Sequence, residues 1–423
     1  MRRRDLLKYF GAGAAGMLLA PRVRAQQGAL RSPKRVIGVF VTGGWDTTYA
    51  LDPKDPSNAD IPAGPVQTFG GLDVFVDASR PHVGSFFTKY AAQSAIIRGI
   101  STDAINHNEC QRRIATGTRE ETRPDFGAIV AHDLGGQLPL PYLILGDTAY
   151  TGPYAVCSGR VGANNQIVGL LDPTPATNDP TDPIAQHAGL TDAEQALLAT
   201  YAKASADRER AKRGALGYNR ARIDDFSEAI DRAGLLRAAR SDFGARGDAL
   251  AFTRQLGLAL DALQQDLSYA VMVSTRLFWD THADNWQQGP DHDTLFAGLE
   301  YLLDQLAGRP GSSAGSTMAD DTVVVVFSEM SRTPRLAGDP AHLGKGHWPV
   351  TSALVIGAGV KGGQVFGGTD PLSGAMAVSF ATGQPDPSGQ DLLYSHFIAG
   401  VLALCGADPT AYFSVPVFDA FAV

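Results

Sequence analysis

Four stretches of the sequence carry residue types able to hold a cation or an anion. They are Gly43-Gly44-Trp45-Asp46-Thr47-Thr48, Asn106-His107-Asn108-Glu109, Trp279-Asp280-Thr281-His282-Ala283-Asp284-Asn285, and Ser328-Glu329-Met330-Ser331-Arg332-Thr333-Pro334 with the following Gly344-Lys345-Gly346-His347-Trp348-Pro349. Asp46 follows two glycines that let the backbone turn tightly, so it is either a ligand or a turn residue. His107 precedes a helix whose N-terminus favours negative charge, a seat for an oxyanion or phosphate. Its imidazole is an attacking group, an acid–base group or a metal ligand, or else holds a loop by a hydrogen bond. Asp280, His282 and Asp284 alternate, and converge on one cation if that piece is extended. Glu329 ends a strongly apolar run, where an unpaired carboxylate is costly, so a metal or Arg332 must satisfy it.

These residues need elements to bring them together. The run Arg35–Thr42 (RVIGVFVT) reads as a central parallel strand buried on both faces. Similar runs lie at Ser94–Ile100, Leu140–Leu145, Thr322–Ser328 and Ser352–Ile356. Between them, Leu295, Phe296, Leu299, Leu302, Leu303 and Leu306 keep helical spacing behind a cap at Asp293 or Thr294, and a last helix spans about Leu392 to Cys405. Alternating strands and helices predict a doubly wound, mostly parallel α/β sheet. Sites in such sheets form at the C-terminal ends of strands, and the four stretches fall there. The Gly-rich Gly359–Asp370 segment lacks a phosphate-loop pattern and reads as a hairpin or loop. Residues 172–185 (DPTPATNDPTDPIA) form a loop, and 191–270 is helical and charged, so about 172–270 reads as a helical insertion.

Residues 1–25 (MRRRDLLKYFGAGAAGMLLAPRVRA) read as an export leader. A basic start leads into an apolar run, Tyr9 to Ala20, that is short for a membrane span, and Val23-Arg24-Ala25 offers a cleavage site. Arg3-Arg4-Asp5-Leu6-Leu7-Lys8 resembles the twin-arginine signal, which makes the export machinery a partner and the periplasm or exterior the destination. The 423-residue chain has net charge −8, and losing the leader's net +5 leaves −13. That acidity argues against a nucleic-acid partner. No later segment is apolar enough for stable membrane insertion after cleavage. Cys110, Cys157 and Cys405 lie far apart without metal spacing, which argues against cysteine-based redox or iron–sulfur chemistry.

In this order behind such a leader, DTHADN, SEMSRTP, GHWP and GGQVFGGTD resemble motifs of an exported bacterial family, the domain-of-unknown-function family 1501. The resemblance covers nearly the whole of residues 26–423, read as a single α/β domain. Met330, Ser331 and Gly346 depart from its pattern. The family is similar in turn to the alkaline phosphatase and sulfatase superfamily, which uses two metal sites and a hydroxyl nucleophile at a helix start. The resemblance implies an alkaline-phosphatase-like fold, with Asp46, Asp280, Glu329 and His347, together with His282 or Asp284, as metal ligands. The nucleophile position, nine residues before Thr116-Gly117, is held by His107. Met330 stands where the superfamily has a histidine ligand.

Two functions are therefore expected. One is an exported hydrolase of small anionic phosphate or sulfate esters. It would use Zn²⁺ or Mn²⁺ on Asp46, Asp280, His282, Glu329 and His347, with His107 and Arg332 as catalytic groups. The other is a non-catalytic binding or assembly protein on the same fold.

Overall fold

The computed structural model describes residues 30–146, 148–161, 191–213, 217–238 and 251–423. The expected leader and the loop at 172–185 lie outside the described residues, as does part of the stretch expected as an insertion.

Eight strands form the main sheet: β1 (Arg35–Phe40), β2 (Ser94–Ser101), β3 (Tyr142–Ile144), β4 (Ser158–Arg160), β5 (Ala270–Ser274), β6 (Thr322–Phe327), β7 (Val350–Gly357) and β8 (Gln364–Gly367). Their order is β8-β2-β7-β6-β1-β5-β3-β4. All neighbours pair in parallel except β7, which is antiparallel to both β2 and β6. The mostly parallel sheet expected from the sequence is thus observed, with one reversed strand inside it.

Alternation along the central strands explains why both faces are covered. On β1, Ile37 and Val39 enter one core while Val36 and Phe40 enter the other; on β6, Val324 and Val326 oppose Val323, Val325 and Phe327. Helices α1 (Pro81–Tyr90), α6 (Phe252–Gln264) and α7 (Gln288–Gly308) supply the first core. The second takes α2 (His107–Thr116), α3 (Phe126–Gly135) and α8 (Tyr394–Cys405). Between α3 and α6 run α4 (Asp192–Arg213) and α5 (Gly217–Ala238), bridged by Lys203 to Asp231 and by Arg210 to Asp224 at 2.8 Å. No helix among the described residues is long and apolar enough to cross a membrane.

Three sequence readings need correction. Helix α7 begins at Gln288, ahead of the cap expected at Asp293 or Thr294. Pro290 sits in its first turn, where a missing N–H is harmless, and His292 within it is fully buried. Gln364–Gly367, inside the segment read as a hairpin or loop, is the edge strand β8, parallel to β2. The 279–285 stretch is not extended throughout: Asp284 caps a short 3-10 turn (Asn285–Gln287), its carboxylate accepting Trp286 N–H at 3.2 Å.

Candidate metal centre

Strands β2, β6, β1 and β5 end at one edge of the sheet, and the four polar stretches follow those ends. His347 lies three residues before β7, yet reaches the same edge because β7 is antiparallel: its first residue, Val350, pairs with Ser101 at the end of β2. His347 and Trp348 also pair with Arg332 and Ser331 in a two-residue ribbon.

His107, Asp280, His282 and His347 converge there, with one ligand-type atom from each within 4.8 Å of the others, an arrangement that could hold a metal ion. Nε2 of His282 and Nε2 of His347 are 2.8 Å apart. Asp280 Oδ1 stands 3.1 Å from Nε2 of His282, 3.4 Å from that of His107 and 3.6 Å from that of His347. The side chains are 21–51% exposed, so a small molecule has access.

Hydrogen bonds behind the cluster aim two of the imidazoles. Nδ1 of His347 donates to the Ile105 carbonyl at 2.7 Å, and Nδ1 of His107 donates to Glu329 Oε1 at 2.9 Å. Each acceptor takes its proton from Nδ1, so in the neutral ring the Nε2 lone pair faces the cluster. Metal-bound histidines are fixed in this way by a carboxylate or a carbonyl. Nε2 of His107 is shielded from solvent and has no hydrogen-bond partner. The donor set of three imidazoles and one carboxylate therefore fits a divalent ion such as Zn²⁺.

The charges are set by neighbours. The Glu329 hydrogen bond outweighs burial and raises the His107 pKa above its ordinary value. Burial, helped by the Arg332 charge, lowers that of His282. Burial works against the Asp280 carboxylate, but the Arg332 hydrogen bond and the positive charges around it win, and its pKa falls below the ordinary aspartate value.

The remaining expected site residues take other places. Glu329 is fully buried one layer behind the cluster. Its Oε1 accepts Gly43 N–H at 2.7 Å, His107 and Gln111, and its Oε2 accepts Ser328 Oγ–H. It orients the His107 ring, and its needs are met without Arg332. Arg332, expected as a catalytic group, is fully buried too. Its guanidinium donates to the carbonyls of Gly43, Gly44 and Lys345 and to Asp280 Oδ1 at 2.6 Å, which holds that carboxylate at the cluster.

Asp46, expected as a ligand, lies outside the cluster. Its Oδ2 accepts Lys345 Nζ at 2.6 Å and Asn285 at 2.9 Å, and its Oδ1 accepts both the hydroxyl and the N–H of Thr48. Both ends of the Asp46–Lys345 pair are fully buried. Lysine 345 and the Arg332–Asp280 pairing are the features that sequence reasoning missed; the only sequence signal was a lysine two residues before a candidate histidine ligand. The glycines serve the scaffold rather than a ligand. Gly43 has φ +122°, and a Cβ there would lie 3.0 Å from Asp280 N, so only glycine lets the end of β1 pass so close.

Behind Asp46, His292 is fully buried, stacked near Trp45 and Tyr49, with Nε2–H donating to the Asp46 carbonyl at 3.2 Å. Burial pushes its pKa down to about 3. The unfolded chain takes up this proton near the ordinary value of about 6.5. Below that pH the unfolded state therefore binds a proton that the folded state refuses, and stability present above pH 6.5 is lost on acidification. Between pH 7 and pH 5 the loss is about 2 kcal/mol. Urea unfolding of His292→Phe should show a smaller difference between those two pH values than the parent; equal differences would refute it.

No curated protein matches the chain. Among solved structures it is similar to the C-terminal periplasmic domain of EcEptC from Escherichia coli, at 8% identity and TM-score 0.43 over 94% of this chain and 91% of that one. It is also similar to the PsFucS1 sulfatase from Pseudoalteromonas sp. (10% identity, TM-score 0.38, 99% of this chain and 75% of that). A third is the phosphonate monoester hydrolase SpPMH from Silicibacter pomeroyi (11% identity, TM-score 0.36, 94% and 78%). The family described as Protein of unknown function (DUF1501) matches over residues 33–382, and with most of its length so matched the chain belongs to that family.

Proposed function

We propose that the protein is an exported, metal-dependent hydrolase of phosphate or sulfate esters. One divalent ion, Zn²⁺ or Mn²⁺, is held by Nε2 of His107, His282 and His347 and by the Asp280 carboxylate. The observation that carries this reading is the group of four ligand-type atoms within 4.8 Å, with the rings of His107 and His347 fixed from behind by Glu329 and the Ile105 carbonyl. When bound, such an ion polarises the ester and neutralises charge developing on its oxygens.

The chain's own groups supply the rest. His107 and Asn108 open helix α2, where helix geometry leaves backbone N–H groups without intrahelical acceptors; Asn106 takes up that of Glu109 with its side chain. On this reading the amides of His107 and Asn108 donate to anionic ester oxygens beside the cation. Arg332 holds Asp280 in its ionised form.

One observation favours a second reading, a binding or assembly protein with a structural ion: four protein ligands can close a tetrahedral shell and leave no place for substrate. The first test is metal content. Elemental analysis of protein purified from its native compartment should give close to one equivalent of Zn or Mn, and Asp280→Asn should cut metal affinity by at least about tenfold. Folded, metal-free protein that takes up neither ion would refute both metal readings. Export rests on Arg3-Arg4-Asp5-Leu6-Leu7-Lys8. Changing Arg3 and Arg4 together to lysine should strand precursor in the cytoplasm, and normal export of that variant would remove the twin-arginine route.

A further inference from the structure

Three of the four ligands have a large, exposed apolar residue as an immediate neighbour. Ile105, whose carbonyl holds His347 Nδ1, leaves its own side chain 58% exposed. Phe278 is 66% exposed and stands two residues before Asp280, with buried Trp279 between them. Leu343 is 36% exposed and precedes Gly344, which meets the backbone of His282 so closely that a Cβ would lie 1.9 Å from its carbonyl oxygen. Single exposed apolar residues need no explanation. These three come from three separate segments and adjoin three different ligands of one polar cluster.

Ile105 also sits one residue before Asn106, the cap of helix α2, and so borders the amides of His107 and Asn108. An anion held at those amides and at the cluster would carry its alcohol portion past an apolar border. We propose that Ile105, Phe278 and Leu343 form a hydrocarbon subsite, and that the substrate class is a phosphate or sulfate ester of an apolar alcohol. This rests on the ester-hydrolase reading. Water leaves the three side chains when a hydrocarbon covers them, so affinity must rise with chain length.

The test uses metal-loaded protein and non-hydrolysable probes: methylphosphonate against hexylphosphonate, with the matching sulfonates, by calorimetry. The hexyl probe of at least one head group should bind at least tenfold more tightly than its methyl counterpart. In the double variant Phe278→Ser and Leu343→Ser, which leaves Ile105 and its carbonyl in place, that advantage should shrink at least threefold, with methyl binding unchanged. Methyl and hexyl probes of equal affinity, or a double variant that keeps the full advantage, would overturn the subsite and leave the ester reading standing. Binding of no probe by metal-loaded protein would overturn both.

Discussion

His107→Ala should lower turnover of a phosphate or sulfate ester by at least about 10²-fold, the lower range for losing a group that acts on the reacting centre. The ring is one of the four ligand candidates, its Nε2 has no other partner, and Glu329 holds it in the tautomer that presents a lone pair. It also opens helix α2. On the proposed reading its removal weakens metal binding and the charge stabilisation that depends on it. The measurement is turnover across a panel of chromogenic phosphate and sulfate esters with Zn²⁺ and Mn²⁺ supplied, parent against variant. In a binding protein with a structural ion the same change would weaken metal binding and stability, with no turnover to lose. A parent without turnover at full metal occupancy would move the protein to that class.

Lys345→Met should destabilise the fold by about 3–5 kcal/mol, because it leaves the Asp46 carboxylate buried with its countercharge gone. Both partners are fully buried 2.6 Å apart, and the Lys345 ammonium lies 5.6 Å from the centroid of the Tyr49 ring, so no water can replace it cheaply. Pairing the change with Asp46→Asn removes the stranded charge and should recover part of the loss. Urea unfolding of the single and double variants against the parent measures both quantities. A loss below about 1 kcal/mol for the single variant, or a double variant no more stable than it, would mean that the pair is not the buried ion pair described.

Much of the scaffold was legible from residue order. RVIGVF and TVVVVF are apolar at every pleat, which only a strand covered on both faces tolerates, and they became β1 and β6 at the centre of the sheet. The polar stretches that follow such strands had to lie at one edge, and His107, Asp280, His282 and His347, all named from those stretches, stand together there, whereas Asp46 and Glu329 are not in the cluster. The short strands were not legible: Ser158–Arg160 and Gln364–Gly367 carry no hydrophobic period long enough to read, and they are strands because a neighbour's edge was open to them.

The division of labour among the charged residues was decided by tertiary structure alone. Asp46, Asp280 and Glu329 are all carboxylates near strand ends, and local sequence offers nothing to rank them. Lys345, 299 residues away in sequence, satisfies Asp46, and the Gly43 amide with His107 satisfies Glu329. Arg332 keeps Asp280 ionised and at the cluster. Reversal of β7 brought His347 to the same edge as the other ligands, a strand direction that an apolar run does not encode. Residue type and spacing name the groups able to bind a cation. Which of them stays at the cluster depends on the donors that the fold brings from distant segments: Asp46, with two donors on each oxygen, is spoken for, whereas Asp280 Oδ1 accepts from Arg332 and still faces the imidazoles.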